Sequence, residues 1–121
     1  MLTIALTDPP VPIAHVTLSG TLDTSTASEL QEFIDRQITS GVHALVLDME
    51  ALIFIASEGL RVLAKARKMM RLRGGHTYFV NLSRQVKKVF EIVHAAPVNE
   101  IFNNTEELDA YLALMQKRVE E

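Results

Sequence analysis

The sequence predicts an α/β fold, with a mixed sheet of four or five strands and about four helices. Short apolar runs alternate along the chain with segments whose apolar residues recur at helical spacing. Two strand–helix–strand units follow one another, which implies right-handed crossovers and largely parallel neighbouring strands. The length of 121 residues suits one compact domain, so we expect a single domain over residues 1–121.

The first elements are two strands predicted at residues 3–7 and 13–18. The segment between them, residues 8–12, is rich in proline, which cannot donate a hydrogen bond to a strand ladder. It is therefore predicted as a turn. Residues 20–23, which begin with a glycine, are predicted as a bend after the second strand.

The first helix is predicted to begin at a cap formed by Asp23 or Thr24 and to continue to about Ser40. Gly41 is expected to stop it. Its apolar residues recur at helical spacing and are expected to face the core: Ala27, Leu30, Phe33, Ile34 and Ile38.

The centre of the chain contains a continuous apolar run, Ala44–Asp48, which is typical of a buried parallel strand. A second apolar run, Ala51–Ile55, leads directly into a helical pattern. Ser57 is predicted as the N-cap of this helix and Glu58 as part of its first turn. The helix is expected to end near residues 74–75, which are both glycine.

The last third of the chain repeats the alternation. A strand is predicted at Thr77–Val80, followed by a helix capped by Ser83. Ile101–Phe102 is predicted as a last short strand, and Thr105 as the cap of the final helix.

Composition narrows the possible functions. The net charge of -3 and the absence of a nucleic-acid motif argue against nucleic-acid binding. There is no cysteine, no recognisable leader and no apolar run of the roughly 20 residues that a membrane span needs, so we expect a cytoplasmic protein without membrane association. The four histidines are scattered without metal-ligand spacing, and no nucleophile elbow is present. We therefore expect no metal, no cofactor and no enzymatic activity.

Ser57 is the main candidate for a functional residue. The start of a helix carries unpaired backbone N–H groups and a partial positive charge, so it favours anions. A phosphate on Ser57 would be held there and would change the local charge by nearly two units. Asp23 is expected near Ser57 if the ends of the two strands meet at one edge of the sheet. The alternative roles are structural: helix caps at both residues.

The helix after Ser57 is rich in basic residues. Arg61, Lys65 and Lys68 recur on one face. Six of the twelve basic residues of the chain lie on this helix or just after it: Arg61, Lys65, Arg67, Lys68, Arg71 and Arg73. They form either a solvated face or a surface that selects an acidic partner.

The order of these motifs resembles the STAS domain family over nearly the whole chain. The Gly-x-Leu-Asp opening of that family is similar to Gly20–Asp23, and its strand, switch loop and helix are similar to Leu45–Leu63. The later family segment resembles Asn81–Phe90. A chain of this size with one such domain is similar to the bacterial anti-sigma factor antagonists.

The resemblance implies a partner-switching function. Family members bind an anti-sigma factor that is also a GHKL-type serine kinase; phosphorylation ends binding, and a serine phosphatase restores it. By position, the phosphoacceptor would be Ser57, and the aspartate of the first bend would be Asp23. The predicted partner-binding residues are Asp23, Ala56, Ser57, Glu58, Gly59 and Arg61. The expected state is a monomer or weak dimer.

Two positions differ from the common family pattern: Ala56 replaces an aspartate and Glu58 replaces a serine or threonine. Glu58 either complements the helix dipole or partly mimics a phosphate. Gly59 either admits a partner backbone or relieves packing. Three other functions remain open: a STAS subunit bound to a transporter ATPase, a module that binds a small molecule such as a nucleotide, and a weak hydrolase.

Overall fold

The predicted mixed sheet is confirmed, with five strands in the order in which they occur along the chain. The computed structural model describes residues 1–7 and 11–120, so most of the turn predicted at residues 8–12 lies outside the described residues. The first two strands are antiparallel and the other neighbours are parallel. The strands are β1 (Leu2–Leu6), β2 (Ile13–Leu22), β3 (Ala44–Ile55), β4 (His76–Val80) and β5 (Ile101–Phe102).

Four helices cover the sheet, as predicted, and a short 3₁₀ turn at Val98–Glu100 precedes β5. The helices are α1 (Ala27–Gln37), α2 (Ser57–Leu72), α3 (Arg84–Val93) and α4 (Thr105–Glu120). The larger core lies between one face of the sheet and α1, α2 and α3, and it contains Leu30, Leu63 and Phe90. The smaller core lies on the opposite face under α4, around Tyr78 and Leu108.

The central position of β3 explains its continuous apolar sequence. Leu45 and Leu47 face the larger core, while Ala44 and Val46 face the smaller one. A strand with parallel neighbours on both sides and helices on both faces is buried on both faces, so it has no polar alternation. The prediction of a buried parallel strand at Ala44–Asp48 is confirmed.

The prediction of a bend at residues 20–23 is wrong for residues 20–22, which belong to β2. Gly20 has a φ of 97°, and a Cβ on it would collide with the carbonyl oxygen of Met1. Only glycine tolerates both conditions at low cost, so this glycine permits an irregular but continuous strand. The chain turns one residue later, at Asp23.

Two predicted helix starts are also wrong. α1 begins at Ala27 with Thr26 at the N-cap position, so the predicted start at Asp23 or Thr24 lies too early. Asp23 instead caps the turn before the helix, since its Oδ1 accepts from the Ser25 and Thr26 amides. Thr105 is the first residue of α4, since the side-chain oxygen of the preceding Asn104 accepts the hydrogen bond from the Glu107 amide at 2.8 Å. At α4 the polar residue beside the predicted cap takes that position, whereas the Thr26 side chain makes no capping bond to α1.

Candidate functional site

Asp23 and Ser57 follow neighbouring parallel strands at the same edge of the sheet. Leu22 at the end of β2 pairs with Ile55 at the end of β3. The Ala56 amide then donates to the carbonyl oxygen of Leu22 at 2.8 Å. The expectation that the two strand ends meet is therefore confirmed, and the start of α2 lies next to the turn that Asp23 begins.

Ser57 is not the N-cap of α2, contrary to the prediction. The N-cap residue is Ala56, in an extended conformation with φ −103° and ψ 171°, and Ser57 is the first helical residue. The pairing of β2 with β3 continues through the Ala56 amide, and the Ala56 carbonyl already accepts from the Leu60 amide at 3.1 Å. The transition from strand to helix therefore occurs at Ala56, which has no side chain able to cap.

This arrangement leaves the Ser57 side chain at the surface. Ser57 is exposed, and its hydroxyl makes no hydrogen bond within the residues that the structure describes. By contrast, the predicted cap of α3 is confirmed, because the Ser83 hydroxyl oxygen accepts from the Val86 amide at 3.3 Å. Of these two serines, Ser57 is the one whose hydroxyl the fold does not use.

We expect the two serines to differ in their contribution to stability. Ser83→Ala removes a capping hydrogen bond and should lower the free energy of unfolding by about 1 kcal/mol. Ser57→Ala removes no capping bond and should change it by less than about 0.5 kcal/mol. Urea denaturation of both variants measures the difference; equal losses would show that Ser57 also caps its helix.

Asp23 organises the turn between β2 and α1. Its Oδ1 accepts hydrogen bonds from the Ser25 hydroxyl at 2.7 Å, the Ser25 amide at 2.9 Å and the Thr26 amide at 3.1 Å. The bond from the Ser25 hydroxyl is the largest cause that lowers the pKa of Asp23 below its ordinary value of 3.8, partly opposed by desolvation. The carboxylate is therefore ionised at neutral pH and places a fixed negative charge beside the start of α2.

Glu58 and Arg61 form an ion pair on the first turn of α2. Arg61 Nη1 lies 2.7 Å from Glu58 Oε1, with the Arg61 side chain largely in solvent and that of Glu58 partly buried. Pairs at this spacing on a helix add only a few tenths of a kcal/mol. The pairing nevertheless balances the charge of Glu58 locally, so the surface next to Ser57 is not strongly anionic before any modification.

Gly59 is buried rather than displayed at the surface. A Cβ added to Gly59 would lie 2.5 Å from Cγ of Leu22 and 3.1 Å from its carbonyl oxygen. The missing side chain therefore allows α2 to approach the end of β2 closely. The geometry therefore favours a role for Gly59 in internal packing over contact with the backbone of a partner.

The basic residues of α2, together with Arg73 directly after it, divide into two groups. Arg67 makes a paired contact with Glu100, with Nε to Oε1 at 2.7 Å and Nη2 to Oε2 at 3.0 Å, and this bond is the main reason that its pKa is raised. Arg73 donates from Nη1 to the carbonyl oxygens of Ile38 and Thr39. Arg67 thus connects α2 to the 3₁₀ turn before β5, and Arg73 connects the end of α2 to the residues that follow α1. The remaining cations of this helix are exposed: Arg61, Lys65, Lys68 and Arg71.

A shallow groove of about 380 Å³ lies between α1 and α2 beside this site. Its lining joins both helices and includes the predicted residues Glu58 and Arg61. Sequence reasoning did not identify Ser28 and Gln31 as part of this surface, because only the packing of the two helices brings them there. No helix in the described part of the chain combines the length and apolar character needed to cross a membrane.

Comparison with known proteins agrees with this geometry. A protein of Bordetella bronchiseptica named, provisionally, as the anti-sigma factor antagonist BtrV is 30% identical over 89 residues, which cover 74% of this chain and 77% of that protein. The unphosphorylated form of the anti-sigma factor antagonist SpoIIAA superimposes with a TM-score of 0.78 and 21% identity, over 92% of this chain and 96% of that one.

The phosphorylated form of SpoIIAA, described as a Bacillus cell fate determinant, superimposes with a TM-score of 0.72 and 19% identity, over 91% of this chain and 99% of that one. A sulfate transporter family protein from Wolinella succinogenes has the same fold, with a TM-score of 0.74 and 17% identity over 89% of this chain and 90% of that one. The STAS domain family model matches residues 7–108. The chain resembles bacterial anti-sigma factor antagonists and belongs to the STAS domain family.

Proposed function

We propose that this chain is a non-enzymatic anti-sigma factor antagonist that binds an anti-sigma factor with serine kinase activity and is switched by phosphorylation of Ser57. The observation that carries the proposal is the exposed Ser57 hydroxyl at the first position of α2, which the described part of the fold leaves unbonded. The similarity to BtrV and the existence of a phosphorylated form of SpoIIAA support it.

The position of Ser57 suits both states of such a switch. A kinase can reach the hydroxyl, and the phosphoryl group moves from ATP to Ser57 Oγ while the hydroxyl proton leaves and ADP is released. The phosphoryl oxygens then lie at the N-terminus of a 16-residue helix, where free amide groups and the helix dipole favour an anion. Phosphorylation therefore requires little rearrangement of the fold.

The same charge explains why phosphorylation would end binding. The unmodified surface next to Ser57 carries Asp23 and a Glu58 that Arg61 balances. A phosphoryl group adds about −1.5 to −2 charges to this surface. Burying that group against a partner would cost desolvation and repulsion from Asp23, and each 1.4 kcal/mol reduces affinity about tenfold.

The decisive experiment combines the purified chain with ATP and each GHKL-type serine kinase encoded in its source genome. We expect one kinase to add a single phosphate, which mass spectrometry of peptides locates at Ser57. Ser57→Ala should abolish the modification. Ser28→Ala, at an exposed serine in the groove between α1 and α2, is the matched control and should be modified normally.

Two results would contradict the proposal. One is modification at another serine that persists in Ser57→Ala. The other is stable association with a transporter ATPase, or binding of a nucleotide by calorimetry, while none of the kinases binds. Addition of the cognate serine phosphatase should remove the phosphate and restore binding to the kinase.

A further inference from the structure

Two large apolar residues at the end of β3 are exposed close to Ser57. Ile53 is 65% exposed and Phe54 is 52% exposed. On the neighbouring helix α3, the half-buried Val89 contacts the same depression, and Ile92, one helical turn further, is 67% exposed. We call these four residues the bulge patch: Ile53, Phe54, Val89 and Ile92.

The exposure has a backbone cause. Gly20 on β2 pairs with Leu52, whereas the next residue, Thr21, pairs with Phe54, so Ile53 is an extra residue in β3. An extra residue of this kind is a β-bulge, which breaks the alternation of side chains and often lies beside functional sites. Here it leaves Leu52 and Ile55 in the core and turns Ile53 and Phe54 towards solvent.

Three residues of the bulge patch, Ile53, Phe54 and Val89, line a depression of about 210 Å³. Its walls are Phe54 and Ile53 on one side and Gln85 and Val89 of α3 on the other, with Val86 beneath. A hollow of this size accepts a single aliphatic or aromatic side chain. Such an insertion is typical of the anchor residues that supply most of the affinity of an interface.

The exposed charges of α3, the helix that forms one wall of the depression, have one predominant sign. Arg84, Lys87 and Lys88 are exposed on the first two turns of α3, against a single exposed acid on that helix, Glu91. An apolar centre with a basic rim is complementary to a partner surface that has an apolar anchor and acidic neighbours. Because Phe54 precedes Ser57 by only three residues, a macromolecule that reaches the Ser57 hydroxyl also comes close to this patch.

We propose that the bulge patch is the apolar anchor by which this chain holds the serine kinase that modifies Ser57. The kinase inserts one apolar side chain into the depression and places acidic residues against Arg84 and Lys88. This inference rests on the proposed function and deepens it, since it assigns affinity to residues separate from the residue that is switched.

The test measures two quantities with the kinase that phosphorylates Ser57 in the wild-type chain. One is the dissociation constant of the complex, and the other is the KM for the chain as substrate. Phe54→Ser and Ile92→Ser should each weaken binding and raise KM at least tenfold, with phosphorylation still located at Ser57. Leu72→Ser is the matched control, because Leu72 is 77% exposed near the end of α2 and outside the patch, and it should change neither quantity.

Removal of exposed apolar side chains should leave the fold intact, and an unchanged thermal midpoint for Ile92→Ser verifies this independently of Phe54→Ser. Lys88→Glu should slow association and reduce its dependence on salt. If Phe54→Ser and Ile92→Ser bind the kinase as the wild-type chain does, the patch is not the anchor, although the proposed function stands.

If no kinase modifies Ser57, the proposed function fails, and the assignment of the patch to a kinase fails with it. Two other occupants would also overturn the inference. One is a second copy of the chain, detected as a dimer by analytical ultracentrifugation that Phe54→Ser abolishes. The other is a lipid surface, detected as binding to phosphatidylglycerol vesicles that the same variant abolishes.

Discussion

Ser57→Asp should weaken binding to the partner kinase at least tenfold, whereas Ser57→Ala should change it less than about threefold, a difference of about 0.7 kcal/mol or more in binding free energy. The aspartate places a permanent charge where the exposed hydroxyl of Ser57 stands, at the start of α2. Calorimetry or surface plasmon resonance with the purified kinase measures both values. One carboxylate carries less charge than a phosphate, so the measured loss is a lower limit for phosphorylation.

This comparison separates an effect on the interface from an effect on the fold. A negative charge in the first turn of a helix interacts favourably with the helix dipole, so Ser57→Asp should keep or slightly raise the thermal midpoint. Loss of binding by a variant that is equally stable therefore reports the interface. Equal affinities of the aspartate and alanine variants would contradict a mechanism based on charge.

Gly59→Ala should destabilise the domain by about 1–3 kcal/mol, which corresponds to a fall of roughly 4–12 °C in the thermal midpoint. The added Cβ would lie 2.5 Å from Cγ of Leu22, a residue without solvent exposure at the end of β2. This clash outweighs the gain of at most about 1 kcal/mol that alanine offers over glycine in a helix. Differential scanning calorimetry measures the shift.

Ser57→Ala is a suitable control for Gly59→Ala, because it introduces alanine two residues earlier at an exposed position with no clash. Its thermal midpoint should stay within about 2 °C of the wild-type value. A midpoint for Gly59→Ala equal to or above that of the wild-type chain would show that Leu22 moves aside, and that close packing does not require this glycine.

The order of strands and helices could be predicted from the sequence, because each core strand and helix has a recognisable local pattern of residues. Ala44–Asp48 is apolar at every position except the last. Ser83 directly precedes the helical pattern of α3 and caps it. The pairing of strand ends followed from the parallel connections, which placed Asp23 beside the start of α2. These features depend on neighbours in sequence and on the handedness of crossovers.

The errors occurred where pairing between distant segments overrides local preference. Serine is a common N-cap residue, but the hydrogen bond between the Ala56 amide and the Leu22 carbonyl oxygen continues the strand pairing as far as Ala56. The N-cap is therefore Ala56, one residue before Ser57. Glycine is typical of turns, yet Gly20 lies within β2 and pairs with Leu2 of β1. The internal partners of Arg67 and Arg73 could not be predicted either, since Glu100 and Thr39 lie 33 and 34 residues away along the chain.

The exposure of Ile53 and Phe54 could not be read from composition, because a run of five apolar residues is typical of a buried strand. Only the register with β2 shows the extra residue that turns them outwards. The candidate anchor was therefore missed, whereas the candidate switch residue was identified from its position between an apolar run and a helical pattern.

The bond between the Ala56 amide and the Leu22 carbonyl, together with the close fit of Gly59 against Leu22, has a consequence for signalling. The beginning of α2 is held against Leu22 at the end of β2, so a phosphoryl group added at its first residue would cause little movement of the backbone. In such a protein the backbone would stay in place after modification, and the partner would respond directly to the altered surface charge.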